Sequence, residues 1–328
     1  MLATREPHVL IPPVPEAPDL LAPVAGGVVR RLAGTAMGTE WRVALVARQR
    51  HDLAPARAAI GRAIADVVAQ MSQWETESEL SRFNRLPAGA AMTISPAFAQ
   101  VLDCALTLAE ASGGAFDPTL GAASDAFGFG PGPPPEARPD GIPGGGWRSL
   151  SFDRAARRLI QPGPVRLDLS GIAKGFAVDL IARGLARAGF ARHLVEIGGE
   201  LRGAGAKPDG QPWWVAVDPV PDMPDRPVRI ALSGWSVASS GDWQRRRGPA
   251  GRDWSHTLSP GDGSPLVQSP RCATVLHRGC MQADALATSM MVLGADAGIA
   301  FADRHAIPAR IATAAGHIRE SRAWSAMT

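Results

Sequence analysis

The chain has 328 residues, 45% of them hydrophobic and 20% charged, which is enough to bury a sizeable core as one large domain or two smaller ones. Its formal net charge is +3 at pH 7, and no stripe of basic residues indicates a nucleic-acid partner. No apolar run approaches the roughly 20 residues of a membrane span, so we expect no transmembrane segment.

The first 31 residues, "MLATREPHVLIPPVPEAPDLLAPVAGGVVRR", are rich in proline and alanine. Prolines and acidic residues interrupt each apolar stretch, and no basic region precedes a continuous apolar core, as it would in a signal peptide. We therefore expect residues 1–31 to form a disordered extension.

Local patterns predict a strand, two helices and a loop in the next part of the chain. Alternation over residues 41–47 indicates a strand, whereas apolar residues at helical spacing over 60–71 indicate a helix. A second helix starts with Ser95 as its capping residue and Pro96 as its first helical residue. The proline- and glycine-rich segment 128–146 is expected to be a loop.

The stretch "LDLSGIAKGFAVD", residues 167–179, contains Lys174, one of only two lysines in the chain. Residues 167–169 alternate like the end of a strand, and Ser170 is a candidate cap for a following helix, so Lys174 falls in that helix's first turn. The helix dipole disfavours a cation there, unless an anion such as a phosphate binds at the helix start. Simple solvent exposure of the lysine is an equally good explanation from this stretch alone.

Strand-like runs follow at short intervals, namely "RHLVEIGGELRG", "PWWVAVD", "VRIALSGWSVASSG", "DWSHTLSP" and "CATVLH". The connections between most of them are too short for crossover helices, which favours antiparallel pairing. A helical stretch returns over residues 281–305. The mixture of helices and short, sequentially paired strands predicts an α+β fold.

Within that last helical stretch, Asp284 and Thr288 are four residues apart, so their side chains lie on the same helix face. A carboxylate and a hydroxyl are hard oxygen ligands that suit Mg²⁺, which keeps waters or substrate phosphates in its other positions. The alternative is structural: aspartate near a helix start often caps it, and threonine often bonds to the preceding turn.

The order of these motifs resembles the ApbE family of FAD:protein FMN transferases. The resemblance runs over roughly residues 32–315, through the blocks "TAMGTEWRV", "MSQWETESELSRFN", "GGAFDPTLG", "LDLSGIAKGFAVD", "LVEIGGELRGAG", "ASSGDWQR", "SHTLSPGDGSPL" and "ADALATSMMVLG". It implies one α+β domain over 32–317, built from antiparallel and mixed sheets flanked by helices, with residues 318–328 as a C-terminal tail.

The resemblance also implies an activity, which is the Mg²⁺-dependent transfer of FMN from FAD to a serine or threonine of an acceptor protein, with release of AMP. The acceptor would be a subunit of a redox membrane complex that carries a Ser/Thr flavinylation motif. Two alternatives stay open: an FAD pyrophosphatase, in which water replaces the hydroxyl, and a flavin-binding protein without chemistry. Many family members are exported lipoproteins, but no lipobox cysteine is visible here, so we expect a cytoplasmic protein.

Roles for individual residues are likewise implied by the resemblance. His256 would be the general base, Lys174 would meet the pyrophosphate of FAD, and the Ala173 carbonyl would join Asp284 and Thr288 on Mg²⁺. Trp74 replaces the tyrosine that is usual in the family and keeps an aromatic face for the flavin. The flavin nucleotide would be bound by Met37, Trp74, Ala115, Phe116, Asp117, Asp168, Lys174, Gly198, Gly199, Thr257 and Leu258.

Overall fold

A computed structural model describes residues 7–14, 18–221, 223, 226–243, 246–247, 254–267 and 269–328. Its strands are β1 (His8–Leu10), β2 (Gly27–Ala36), β3 (Thr39–Arg48), β4 (Ala91–Thr93), β5 (Ser151–Asp153), β6 (Arg158–Ile160), β7 (His193–Ile197), β8 (Glu200–Ala204), β9 (Trp213–Val217), β10 (Val228–Leu232), β11 (Trp235–Gly241), β12 (Arg246–Arg247), β13 (Trp254–Ser255), β14 (Cys272–His277), β15 (Ala309–Ala312) and β16 (Ile318–Glu320). Its helices are α1 (Pro18–Leu21), α2 (Ala54–Met71), α3 (Glu79–Asn84), α4 (Pro96–Ala111), α5 (Gly121–Ala126), α6 (Ala173–Arg187), α7 (Cys280–Leu293), α8 (Ala295–Arg304) and α9 (Arg322–Ser325), with a 3₁₀ turn at Trp147–Ser149.

An eight-stranded sheet in the order β16-β15-β14-β11-β8-β7-β3-β2 is the centre of the fold. Each neighbouring pair in it is antiparallel, as the short connections predict. The helices and sheets together confirm the α+β prediction. Within the described ranges, none of the helices combines the length and apolar character that crossing a membrane requires.

Both faces of this sheet are covered, and the alternation along β3 shows how. Val43 and Leu45 are buried in a core shared with α2, α4 and α6. Ala44 and Val46, which point to the opposite face, pack in a second core with the small sheet β1-β10-β9 and the fully buried Trp324 of α9. The sheet is therefore the middle layer between helices and a second, smaller sheet.

Helices α6 and α7 position the functional site. Helix α6 contacts both α2 and α7. Ser170 is not its cap, because α6 begins at Ala173 after Ile172 and the Ser170 hydroxyl instead accepts from the side chain of Gln73. The prediction that Lys174 lies in the first turn of this helix is confirmed.

The alternating run at residues 167–169 is not a strand. It is extended, but the only bridge in the described residues there joins the preceding Arg166 to Leu120. The Asn84 side chain bonds both the N–H and the carbonyl of Leu167, in the manner of a neighbouring strand. Leu167 and Leu169 are buried, and this explains why their pattern imitates a half-buried strand.

The expected disorder of residues 1–31 is wrong for the part of that segment that the structure describes. Strand β1 pairs in parallel with β10, Leu10 is fully buried, and β2 pairs along its whole length with β3. Three residues are too few to show a periodic pattern, and the partner strand lies far along the chain. The prediction for residues 1–6 and 15–17 lies outside the described residues.

The C-terminal segment 318–328 is also part of the fold and not a tail. Strand β16 pairs with β15, and Ser321 caps α9 by accepting the N–H of Trp324. The Trp324 side chain is fully buried. Segment 128–146, by contrast, contains neither helix nor strand, which confirms that prediction.

Candidate active site

A cavity of about 350 Å³ lies where the start of α6, the β7–β8 turn, one face of α7 and the loop after β13 meet. It brings together residues that are far apart in the sequence. The predicted site residues that line it are Ala115, Phe116, Asp117, Asp168, Lys174, Gly198, His256, Thr257, Leu258, Asp284 and Thr288.

Four predicted residues do not line the cavity, although each adjoins a lining segment. Gly199 and Ala173 are the neighbours of Gly198 and Lys174 in the sequence. Met37 lies in the β2–β3 turn beside Gly38 and has a left-handed φ of 51°, which is uncommon for a residue with a side chain.

Trp74 is the fourth of these residues, and its side chain is 52% exposed. The neighbouring Gln73 donates to the hydroxyl of Ser170, which lines the cavity, so Trp74 lies beside the site and not within it. Its flavin contact stays a prediction.

Lys174 is held by an ion pair with Glu200, the first residue of β8. Only 21% of the lysine side chain is exposed, so simple solvent exposure does not explain its position. The Glu200 carboxylate also lines the cavity and is 3% exposed, and its Oε2 has no hydrogen-bond partner among the described residues. Burial raises the pKa of Glu200 to about 7, with Asp284 adding to the rise and Lys174 opposing it.

Sequence reasoning missed Glu200. The sequence feature that could have drawn attention to it is its position directly after Gly198-Gly199. The two glycines form a turn in which both have left-handed φ values, 60° and 101°. Such a turn places the next side chain at a defined point on the cavity wall. The two glycines therefore determine where the Glu200 side chain lies in the cavity wall.

Asp284 and Thr288 lie on the cavity face of α7, as their spacing predicts. Asp284 is 4% exposed, and its Oδ2 accepts the backbone N–H of Gly175 at 2.9 Å. The Thr288 hydroxyl lies 3.4 Å from that of Ser240 on β11, another cavity residue that sequence reasoning missed. A side chain at Gly171 would press on Thr288, since an added Cβ would lie 3.1 Å from its Oγ1.

The donor set fits a hard cation that is completed by substrate. No group of three or more His, Cys, Asp or Glu residues in the described part of the chain could hold a metal by itself. Asp284 and Thr288 offer one carboxylate and one hydroxyl to the same cavity, and Mg²⁺ binds to few protein oxygens when phosphates and waters supply the others. The pair therefore suits Mg²⁺ bound together with a phosphate-bearing ligand.

The opposite wall is built around the turn that contains Phe116 and Asp117. Phe116 both lines the cavity and belongs to the main core, where it is 4% exposed. Burial raises the pKa of Asp117, while hydrogen bonds from Thr119 oppose the rise. Loop 128–146 folds tightly over this carboxylate, because a Cβ at Gly145 would lie 2.0 Å from Asp117 Oδ2. The loop therefore packs directly against a side chain that lines the cavity.

His256 lies in the loop after β13 and lines the cavity. Its ring also makes an edge contact with the ring of Phe129, and the two ring centroids are 6.2 Å apart. An isolated bridge between Leu258 and Pro265 closes this loop. The backbone of Ser259 also bonds Ser264 and Gly263, and these bonds hold the loop closed.

Comparison with known proteins identifies the family to which this arrangement belongs. The sequence profile described as "ApbE family" matches residues 37–311. The chain belongs to the ApbE family. The FAD:protein FMN transferase of Vibrio cholerae serotype O1 is 34% identical over 293 residues, which span 84% of this chain and 85% of that protein. The Haemophilus influenzae protein of the same name is 35% identical over 254 residues, 74% of this chain and 73% of that one.

Solved ApbE structures agree with this assignment. The apo form of the Pseudomonas stutzeri flavinyl transferase ApbE superposes with a TM-score of 0.81 at 30% identity, covering 92% of this chain and 97% of that one. The flavin transferase ApbE from Vibrio cholerae gives 0.81 at 31% identity, covering 92% and 100%. The ApbE resemblance inferred from the sequence motifs is thus confirmed, together with its fold.

Proposed function

We infer that the chain is an FAD:protein FMN transferase, an enzyme that moves FMN from FAD to an acceptor protein. Two relatives of that name are 34% and 35% identical, and they match over most of both chains. The observation that carries the proposal is the cavity. It holds a lysine at a helix start, a carboxylate-hydroxyl pair and a histidine around one space of about 350 Å³.

The start of α6 suits the diphosphate of FAD. The dipole at a helix N-terminus favours anions, and Lys174 in the first turn adds a point charge there. Glu200 holds the lysine, so the ammonium group is fixed before substrate arrives. A fixed cation has little reorganisation to make when charge develops on the phosphate oxygens.

The charge balance of the cavity supports a need for Mg²⁺. Among the described lining residues, the acids Asp117, Asp168, Glu200 and Asp284 face the single lysine Lys174. A dianionic diphosphate would add to this negative excess, so binding it calls for a divalent cation. Asp284 and Thr288 are the residues that would hold Mg²⁺, which would supply charge stabilisation to the phosphate oxygens when bound.

We assign the role of general base to His256, which lines the cavity. In the transfer, the acceptor's serine or threonine oxygen forms a bond to the FMN phosphorus, and the bond from that phosphorus to the bridging oxygen breaks. AMP leaves with the bonding electron pair, and the hydroxyl proton passes to His256. An imidazole has a suitable basicity for this step near neutral pH.

A redox membrane-complex subunit with a Ser/Thr flavinylation motif is the acceptor class that we propose. Cytoplasmic localisation stays a prediction, and a cleaved N-terminus in cell fractions would contradict it. A passive flavin-binding protein has no use for the histidine and the carboxylate-hydroxyl pair that the cavity assembles.

The test combines purified protein, FAD, Mg²⁺ and a flavin-acceptor protein, followed by in-gel fluorescence of the denatured acceptor. A fluorescent acceptor band, lost when EDTA is added and when His256 is replaced by Ala, is the expected result. An acceptor whose target hydroxyl is replaced by Ala is the matched control. Release of AMP without a fluorescent band would identify a pyrophosphatase, and neither product would refute both activities.

A further inference from the structure

Helices α6 and α7 cap one another with carboxylates. Neither helix has a side-chain cap of its own, at Ile172 or at Gly279. Asp284 of α7 accepts the N–H of Gly175 in the first turn of α6. Asp179 of α6 in turn accepts two N–H groups at the start of α7. Each helix therefore supplies the acceptor that the other lacks.

The contact between the two helix starts is unusually close. A Cβ at Gly175 would lie 2.3 Å from the carbonyl oxygen of Cys280 and 2.8 Å from the Cβ of Asp284. No side chain at position 175 would fit between the two helix backbones. Asp284 is part of α7, so any shift of α7 relative to α6 moves Asp284 with it. Asp284 follows Cys280 by one helical turn.

Asp179 controls this junction. Its Oδ1 accepts the N–H of Cys280 at 3.1 Å and Nη1 of Arg202 at 2.9 Å, and its Oδ2 accepts the N–H of Met281 at 3.0 Å. The Asp179 side chain is buried and does not line the cavity. It can therefore act on the site only indirectly, and its bonds to the start of α7 connect it to Asp284.

We propose that Asp179 is a positioning residue that fixes the start of α7 and so places Asp284 for the cation. The inference rests on the proposed function, because it takes Asp284 to be a metal ligand. A carboxylate suits this role better than an amide, since it offers two acceptor oxygens to two adjacent N–H donors and complements the helix dipole. Residues that orient metal ligands typically affect metal affinity about 10-fold to 100-fold.

The test measures cation binding directly, with Mn²⁺ as the probe and its free-ion electron paramagnetic resonance signal as the readout. Mn²⁺ accepts the same oxygen ligands as Mg²⁺. The titration is made with FAD and without acceptor protein. Asp179→Asn keeps the size of the side chain but replaces one acceptor oxygen by a donor that faces the N–H of Met281. We expect its Mn²⁺ affinity to fall about 10-fold, and the Mg²⁺ concentration for half-maximal transfer to rise equally, with little change in the rate at saturating Mg²⁺.

Ser321→Ala is the matched control for a merely structural role. The Ser321 hydroxyl is buried and ties backbone groups of Ala309, Ile307 and Trp324, on a part of the fold that does not line the cavity. We expect its urea midpoint to fall while its Mn²⁺ affinity stays that of the wild type. An equal loss of Mn²⁺ affinity in Ser321→Ala would assign the effect to general stability and overturn the proposal.

Asp284→Asn separates this inference from the proposed function. Loss of Mn²⁺ binding in Asp284→Asn with wild-type affinity in Asp179→Asn would overturn the positioning role and leave the metal site in place. Unchanged affinity in Asp284→Asn would remove the metal site and the inference together. Gly175→Ala forces the helices apart with Asp179 intact, and wild-type affinity in this folded variant would also overturn the proposal. Failure of Asp179→Asn to fold would assign the residue to fold stability instead.

Discussion

Replacing Glu200 by Gln should make the metal-free protein more stable, and increasingly so as the pH rises. Burial raises the pKa of Glu200 from 4.5 to about 7 in the folded chain. Between these two pH values the native state holds a proton that the unfolded chain has released. Stability therefore falls as pH rises through this window, and the destabilisation is complete above about pH 7.

The size of the effect follows from the pKa difference. Each pKa unit corresponds to about 1.4 kcal/mol, so the rise at Glu200 amounts to about 3 kcal/mol of lost stability at pH 8 relative to pH 4.5. Gln carries no charge at any pH and can still accept a hydrogen bond from Lys174. The gap in unfolding free energy between Glu200→Gln and the wild type should widen by that amount across the window.

The assay is urea unfolding in EDTA at a series of pH values from 4.5 to 8. Burial lowers the pKa of His193 to about 4, and this group contributes the opposite slope over the same range, because its unfolded form takes up protons first. The comparison is therefore made between the two proteins at each pH, where the His193 contribution cancels. Glu196→Gln, on the neighbouring strand and partly exposed, is the matched control. A constant gap between wild type and Glu200→Gln would refute the reasoning.

Three further predictions concern the metal, the flavin and the C-terminal segment. Asp284→Asn should lower turnover about 100-fold or more, while its melting temperature without Mg²⁺ stays nearly unchanged. Thr288→Val should mainly raise the Mg²⁺ concentration that activity requires. Wild-type turnover of Asp284→Asn at limiting Mg²⁺ would contradict the assignment of Asp284 as a metal ligand. Trp74→Ala should weaken FAD binding by about 1 to 3 kcal/mol in titrations. The fold should survive, because Trp74 is 52% exposed. Unchanged FAD affinity would exclude a flavin contact. Trp324→Ala should cost about 3 to 5 kcal/mol in urea unfolding, since that side chain is fully buried; a loss below about 1 kcal/mol would show that the segment is dispensable.

The sequence predicted those helices and strands that are determined by residues close to one another in the chain. Ser95 accepts the N–H of Phe98 and Pro96 is the first residue of α4, as the capping pattern indicates. Strands β1 and β16 and helix α9 escaped prediction because each is only three or four residues long and depends on distant partners. Residues 167–169 match the pattern of a strand because Leu167 and Leu169 are buried on either side of the less buried Asp168. This alternation does not require a partner strand.

The site shows the same division between local and distant causes. The spacing of Asp284 and Thr288 on one helix face could be read from the sequence, and the helix-start position of Lys174 could be read as well. Glu200 could not be found in this way, because its role depends on an ion pair with a residue on α6. The cap that Asp284 supplies to Gly175 joins two helices far apart in the chain, and no sequence window contains both.

The two end segments of the chain meet, and this has a consequence for the order of folding. The N–H of Ile11 donates to the carbonyl of Met327 at 2.7 Å, and Leu10 shares a core with Trp324. Strand β1 is synthesised well before its partner strand β10 and well before Trp324, which shares its core. Contacts of such long sequence separation form slowly. The segment around residues 8–11 can therefore pair with β10 only after residues 228–232 have been synthesised, and the core that it shares with Trp324 closes later still.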